Sequence, residues 1–446
     1  MRLLLVSQVL WIALFLSLAS AASADEILSS PGIGIRVNPG TPDEATKYYT
    51  RISQKLGVGD TRVDLSDLNR LLVHFGYPGL TAEHLEFGSP ADLMAEFPNG
   101  QLLVSRFFAP KIVDFNIKGA NPHYPYAAGW RKLVRVAALP DSAAAKSANL
   151  HAAYVLFNYV QVQRDDPPFP DGTTAAESVN TQVIVTPKTF VKDTEDSAYF
   201  LDFDTRQGGY KIHDFLSAAF DVAQDPTKPQ ETKRNYYVPT ACAECHGHDR
   251  ERGHPFGGVF AYAKLNYLDT DQWYDMMAFG EFPSTLGTYD VLFDGGLDHG
   301  SAGYAQTFDV VRKLNEFVRE QNAQSLHQNE TDLFKLQAAE KWLTLHKTSV
   351  DPVEAIHRAL DLGNGSAVWQ DTKDDRRLLA LLDQYCFRCH SSIRYSVFDK
   401  QAVIRNQLDI IDFLGLPKED PFHMPQGREL DPQTIADLIK YVQALK

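Results

Sequence analysis

All four cysteines of this 446-residue chain lie in two pentapeptides of one pattern, Cys242-Ala243-Glu244-Cys245-His246 and Cys386-Phe387-Arg388-Cys389-His390. C-x-x-C-H is the attachment signature of c-type haem. The spacing has a chemical reason. Two thiols separated by two residues add to the two vinyl groups of one haem, and the adjacent histidine then lies under the iron. Each pentapeptide therefore predicts one covalently held haem. Cys242, Cys245, Cys386 and Cys389 are the expected attachment residues, and His246 and His390 the proximal ligands. Structural zinc and a redox dithiol also use C-x-x-C, but neither explains a histidine directly after both second cysteines. No cysteine remains for a disulfide.

An independent signal concerns the compartment. Residues 1–24 read as a secretory signal: Arg2, an apolar run from Leu3 to Leu18, then the small-residue site Ala22-Ser23-Ala24 before Asp25. The run is too short for a comfortable membrane span, and no later stretch is purely apolar over a similar length. Cleavage near Ala24 and export to a bacterial periplasm are expected, with no transmembrane anchor after cleavage. Because c-type haem is attached on the exported side of a membrane, the signal and the two motifs support each other.

Length and charge bound the rest. A chain of 446 residues exceeds what one core usually holds, so two or three domains are expected. The formal net charge of -14, made more negative by haem propionates, argues against nucleic acid and anionic lipid as partners. An acidic surface suits a basic redox partner, though solubility alone also explains it.

The region 372–446 carries the clearest pattern. Asp374 to Tyr385 reads as a helix with Leu378, Leu379, Leu381 and Leu382 on its apolar face, leading directly into Cys386. Beyond His390 come Phe422-His423-Met424-Pro425 and a closing helix. There Asp431 and Pro432 suit an N-cap and first turn, and Ile435, Leu438, Ile439 and Val442 recur at helical spacing. This segment resembles a small class I cytochrome c domain. In that family a late Met-Pro supplies the second axial ligand, so the resemblance implies His390 and Met424 as the axial pair. Residue chemistry agrees, since a thioether is a soft ligand suited to haem iron. Methionine also serves as core filler. The sequence departs from the family's common wording by placing His423 before the methionine, which leaves His390/His423 as a competing pair.

The first motif is less readable. His246 is its proximal ligand by the motif itself, but the sixth ligand stays open among Met276, Met277, His254, His299 and no residue at all. His248 lies too close in sequence to reach the opposite face of the same haem. Between residue 25 and about 235 there is no metal cluster, nucleotide loop or nucleophile elbow. Helical patterns at 42–56 and 66–75, followed by β-like runs at 154–162, 181–185 and 198–203, predict an α+β domain of unknown role. His123, His151 and His213 there read as ordinary histidines.

The expected order is a signal peptide at 1–24, an α+β domain at 25–235, a first haem-binding region at 236–300, a helical bridge at 301–371 and a cytochrome c-like helical domain at 372–446. The bridge contains helical patterns at 307–322 and 331–347. Two functions follow from two covalent haems. One is single-electron transfer between redox partners. The other is oxidoreductase chemistry on a small molecule at the first haem, by analogy with two-haem peroxidases and their oxygenase relatives. The latter would need a distal acid or base, for which His248, Glu251 and His254 are candidates.

Overall fold

The computed structural model describes residues 41–57, 62–113, 126–146, 149–158, 180–188, 198–204, 209–213, 215–221, 233–239, 242, 265, 267–268, 302–324, 330–348, 372–386, 397, 400–417, 423–424 and 430–446. Four helices come first: α1 (Pro42–Lys55), α2 (Leu68–His74), α3 (Ala82–Phe87) and α4 (Pro90–Glu96). Side-chain caps begin three of them, because the first backbone N–H groups of a helix have no internal acceptor. Asp67 accepts from the Asn69 amide, Thr81 from that of His84 and Ser89 from that of Asp92. Asn69 then accepts from the Ala82 amide at 2.7 Å, which ties α2 to the start of α3.

A six-stranded sheet follows in simple chain order: β1 (Leu102–Val113), β2 (Tyr126–Ala137), β3 (Leu150–Asn158), β4 (Asn180–Pro187), β5 (Tyr199–Asp204) and β6 (Lys211–His213), every neighbouring pair antiparallel. A short helix, α5 (Ala143–Lys146), joins β2 to β3, and β7 (Phe215–Asp221) with β8 (Lys233–Tyr237) forms a separate two-stranded ribbon.

Side chains alternate across the sheet, so each face has its own core. Val104, Val134, Val136, Val155, Phe157, Val183, Val185, Leu201 and Phe203 share one cluster with Ile52, Leu68, Leu71 and Leu85 of the N-terminal helices. Leu103, Phe107, Ala152 and Tyr154 instead join a cluster that continues through α6 (Ala302–Gln324) and α7 (Glu330–Leu345) into the C-terminal helices. α6 lies against β1 and α7. It is fixed by polar bonds as well: Gln321 donates to the Thr186 hydroxyl at 2.9 Å, and Thr186 donates to the Ala152 carbonyl at 3.2 Å. Burial pushes the neighbouring Tyr154 hydroxyl up to about 12, so it is a protonated donor at neutral pH.

The face toward α6 is unexpectedly polar. Arg131, Arg135, Asn158, Asp202 and Asp204 are all buried there, and Arg131 stands opposite Asn158 in the β2–β3 register. Arg135 lies over the Phe317 ring at 3.7 Å and approaches His151 at 2.9 Å. Burial, with Arg135 and Lys188 nearby, pulls His151 down to about 4.

The C-terminal helices are α8 (Lys373–Tyr385), α9 (Lys400–Arg405), α10 (Gln407–Leu414) and α11 (Pro432–Ala444), with α11 packing on both α8 and α10. Thr372 caps α8 and Asp431 caps α11, the latter accepting from the amides of Gln433 and Thr434. Asp375 and Lys400 form an ion pair at 2.8 Å that joins the starts of α8 and α9, and both residues are buried.

Candidate haem sites

α8 forms because its leucines repeat at helical spacing while Thr372, Asp374 and Asp375 suit its positive N-terminal end. Its apolar face, Leu378, Leu379, Leu381 and Leu382, is buried. The helix ends by delivering Cys386 as its C-cap, whose N–H donates to the Leu382 carbonyl at 2.9 Å. Cys386 is half-buried against the large cluster, on which the partly covered Tyr385, Ile404, Ile410, Ile411, Ile435 and Ile439 of the same helical unit also pack. A thiol at a helix end in a unit with half-covered apolar side chains fits a haem, which is a large apolar plane needing thioether anchors and greasy walls. Cys389 and His390 lie outside the described residues.

Met424 belongs to the same helical unit. Its amide donates to the Phe413 carbonyl at 3.0 Å, anchoring it to the last turn of α10. The two rival ligands differ in environment. His423 is 3 % exposed and its Nδ1 is 2.7 Å from the Leu416 carbonyl, whereas Met424 remains half-exposed. The His423 ring is thus already engaged by the fold.

The first motif contributes Cys242 to the description, with Cys245 and His246 outside it. Cys242 packs against a small cluster of Ala198, Phe200 and Val238, flanked by Ile184, Tyr48 and Tyr49. The N-terminal sheet therefore forms a wall beside Cys242. The two tyrosines, from α1, occupy the edge of β5. Tyr48 accepts from the Phe200 amide at 2.7 Å, while Tyr49 accepts from the Asp202 amide at 3.2 Å and donates to the His213 carbonyl. They satisfy backbone groups where the short β6 pairs only with Asp202 to Asp204. Burial raises both hydroxyls well above the ordinary tyrosine value, so both stay protonated. Nothing in the sequence marked them, because a Tyr-Tyr pair on a surface helix is common chemistry.

Downstream of the first motif, Asn315 of α6 grips Leu268 twice, accepting from its N–H at 2.7 Å and donating to its carbonyl at 2.9 Å. Asn322 donates to the Leu265 carbonyl at 2.8 Å. These buried amides complete backbone groups that have no strand partner here, and they fasten the chain after the first motif to the helix.

His248, Glu251, His254, Met276, Met277 and His299 lie outside the described residues, as does His123. His151 and His213 lie within the N-terminal sheet, the His151 ring 6.0 Å from that of Phe317 in α6 and the His213 carbonyl accepting from Tyr49. Among the described residues, no group of three or more His, Cys, Asp or Glu side chains comes together to hold a metal ion. Also among them, no helix is long and apolar enough to cross a membrane. Comparison of the chain with protein-family models, with curated proteins and with solved structures finds no match.

Proposed function

We propose that this chain is an exported, periplasmic c-type cytochrome with two covalent haems, transferring single electrons between redox partners. The observation that carries the reading is the confinement of all four cysteines to two C-x-x-C-H pentapeptides. When bound, haem supplies a one-electron Fe(III)/Fe(II) couple. The chain's residues set how that couple behaves. Cys386 at the end of α8 and its partner Cys389 would fix one haem edge, with His390 as proximal ligand. Met424, tied through its backbone to α10, would offer a thioether ligand; Met/His ligation raises the potential relative to nitrogen ligands alone. Cys242, Cys245 and His246 would hold the other haem beside β5. The half-covered isoleucines of α10 and α11 would exclude water, and a drier site shifts the potential further. A negatively charged surface suits a basic redox partner.

A second reading places substrate chemistry at the first haem, as in two-haem peroxidases and oxygenases. The specific observation favouring it is the packing of Cys242 on the N-terminal sheet beside Tyr48 and Tyr49, two protonated hydroxyls at that attachment site. Electron paramagnetic resonance of the oxidised protein separates the two. Electron transfer predicts low-spin signals only, since both irons would be fully ligated, whereas substrate chemistry predicts one substantial high-spin signal. Met424→Ala should leave two covalent haems and turn the C-terminal iron high-spin or differently ligated, with a changed potential. An unchanged spectrum and potential would make Met424 core filler.

A further inference from the structure

Two consecutive residues, His423 and Met424, reach back to the end of α10 by different bonds. The Met424 amide donates to Phe413, as described above. The His423 ring meets the carbonyl of Leu416, two residues past the last residue of α10. A carbonyl oxygen only accepts, so Nδ1 carries the proton and donates. The end of α10 is itself held, with the Gly415 N–H directed at the Ile411 and Asp412 carbonyls at 3.2 Å each. The bonds 413–424 and 416–423 thus pin the Met424 backbone to a rigid helix end from two sides.

This matters because a methionine side chain cannot hold its own sulfur in place. It has three rotatable bonds, so thioether position depends on how firmly the backbone beneath it is fixed. Metal-ligand geometry is commonly set by such supporting hydrogen bonds, whose loss weakens ligation without removing the ligand. His423 has the features of a support: it is buried, it bridges seven positions of the chain, and it is bonded to backbone.

We infer that His423 is a positioning residue that holds Met424 for axial ligation by clamping the Leu416 carbonyl. The inference rests on the reading of Met424 as a haem ligand. His423 acts through the methionine and does not itself bind the iron.

The test uses the full-length protein carrying both haems. It compares His423→Leu and His423→Asn with the parent through three readouts: the methionine-to-iron charge-transfer band of the oxidised protein, the midpoint potential of the C-terminal haem, and displacement of that band by added imidazole. His423→Leu removes the donor. Its band should weaken and its potential fall, and imidazole should displace the methionine at about tenfold lower concentration, the equivalent of roughly one lost hydrogen bond. Asparagine places an N–H near the position of Nδ1, so His423→Asn should restore the band and the parent's resistance to imidazole. Should the leucine variant fail to accumulate, His423→Asp against His423→Asn carries the same contrast, because aspartate has the same shape without the donor. A His423→Leu or His423→Asp protein with the parent's band, potential and imidazole response would overturn the positioning role while leaving Met424 ligation intact. A parent with two covalent haems and no methionine band would instead overturn the ligand reading, and the inference with it.

Discussion

Strand β5 and helix α10 are both short apolar segments, yet they end up very differently. All six residues of Tyr199–Asp204 are buried, including two aspartates. Of the eight residues of Gln407–Leu414 only Leu414 is buried, while Ile410, Ile411 and Phe413 are half-covered and Leu408 is 75 % exposed. The sheet region finishes its core with its own side chains, from α1–α4 on one face and α6 on the other. The C-terminal helical unit leaves apolar side chains of α10 and α11 half-covered, which suits a large apolar cofactor completing the packing. Stability in the first region should therefore be insensitive to the C-terminal haem proposed above. In the second it should depend on it.

The sharpest way to break this contrast is to remove the C-terminal attachment. Cys386→Ser with Cys389→Ser should eliminate one covalent haem and sharply reduce amide protection in α8–α11, while β1–β5 keep theirs. Hydrogen exchange on the purified variant reads both regions at once, and equal protection in both would erase the distinction. Next in size is Trp342→Ala. The indole is fully buried, stacked on Phe308 with ring centres 5.6 Å apart and lying 4.7 Å from His346, so its loss should cost about 4 kcal/mol in denaturant unfolding. Lys400→Met alone should cost about 3 kcal/mol by stranding Asp375, and adding Asp375→Leu should recover most of it. A double variant no better than the single would mean the pair holds α8 to α9 through more than charge balance. Asn315→Leu strands two backbone groups of Leu268 and should cost about 2 kcal/mol. It should also shift the potential of the first haem and spare that of the second.

The smallest expected effect is a pH dependence of the sheet region. His151 is held down to about 4 against an ordinary 6.5, so the unfolded chain binds a proton before the folded one does. Stability should therefore decline as pH falls from about 6.5 toward 4, and be unaffected by this group above that window. His151→Gln should flatten that part of the pH profile. An unchanged slope would assign the decline to other groups.

What the sequence revealed follows from periodicity. The helix read at 374–385 lies at Lys373–Tyr385, and the cap read at Asp431-Pro432 is present with both side-chain bonds. The pattern at 307–322 belongs to the longer Ala302–Gln324. The strand read at 154–162 coincides with β3 over 154–158, residues 159–162 lying outside the described ones, and β3 also takes in the quieter Leu150–Ala153, which pairs with β2 and β4. The long hairpin β1–β2 was missed. Leu102–Val113 and Tyr126–Ala137 carry Arg106, Arg131, Lys132 and Arg135, which break the apolar alternation. Arg131, Lys132 and Arg135 are buried: Lys132, for example, donates to the Glu86 and Gly88 carbonyls at the end of α3. Such acceptors come from distant backbone, so no local pattern announces them. The same holds for the site. The cysteines stand out because attachment chemistry fixes their spacing, and Met424 is singled out by the resemblance to a class I cytochrome c domain, whereas Tyr48, Tyr49 and Asn315 meet the first motif's neighbourhood only through the fold.

The central claim is that this polypeptide carries two covalent haems, and intact mass under denaturing conditions tests it most directly. The protein should be taken from the exported fraction of a host able to attach c-type haem, with peptide mapping of the cysteines. The expected mass is that of the polypeptide plus two haems, one bound at Cys242 and Cys245 and the other at Cys386 and Cys389. The mass of the bare polypeptide, with all four thiols open to alkylation, would contradict it.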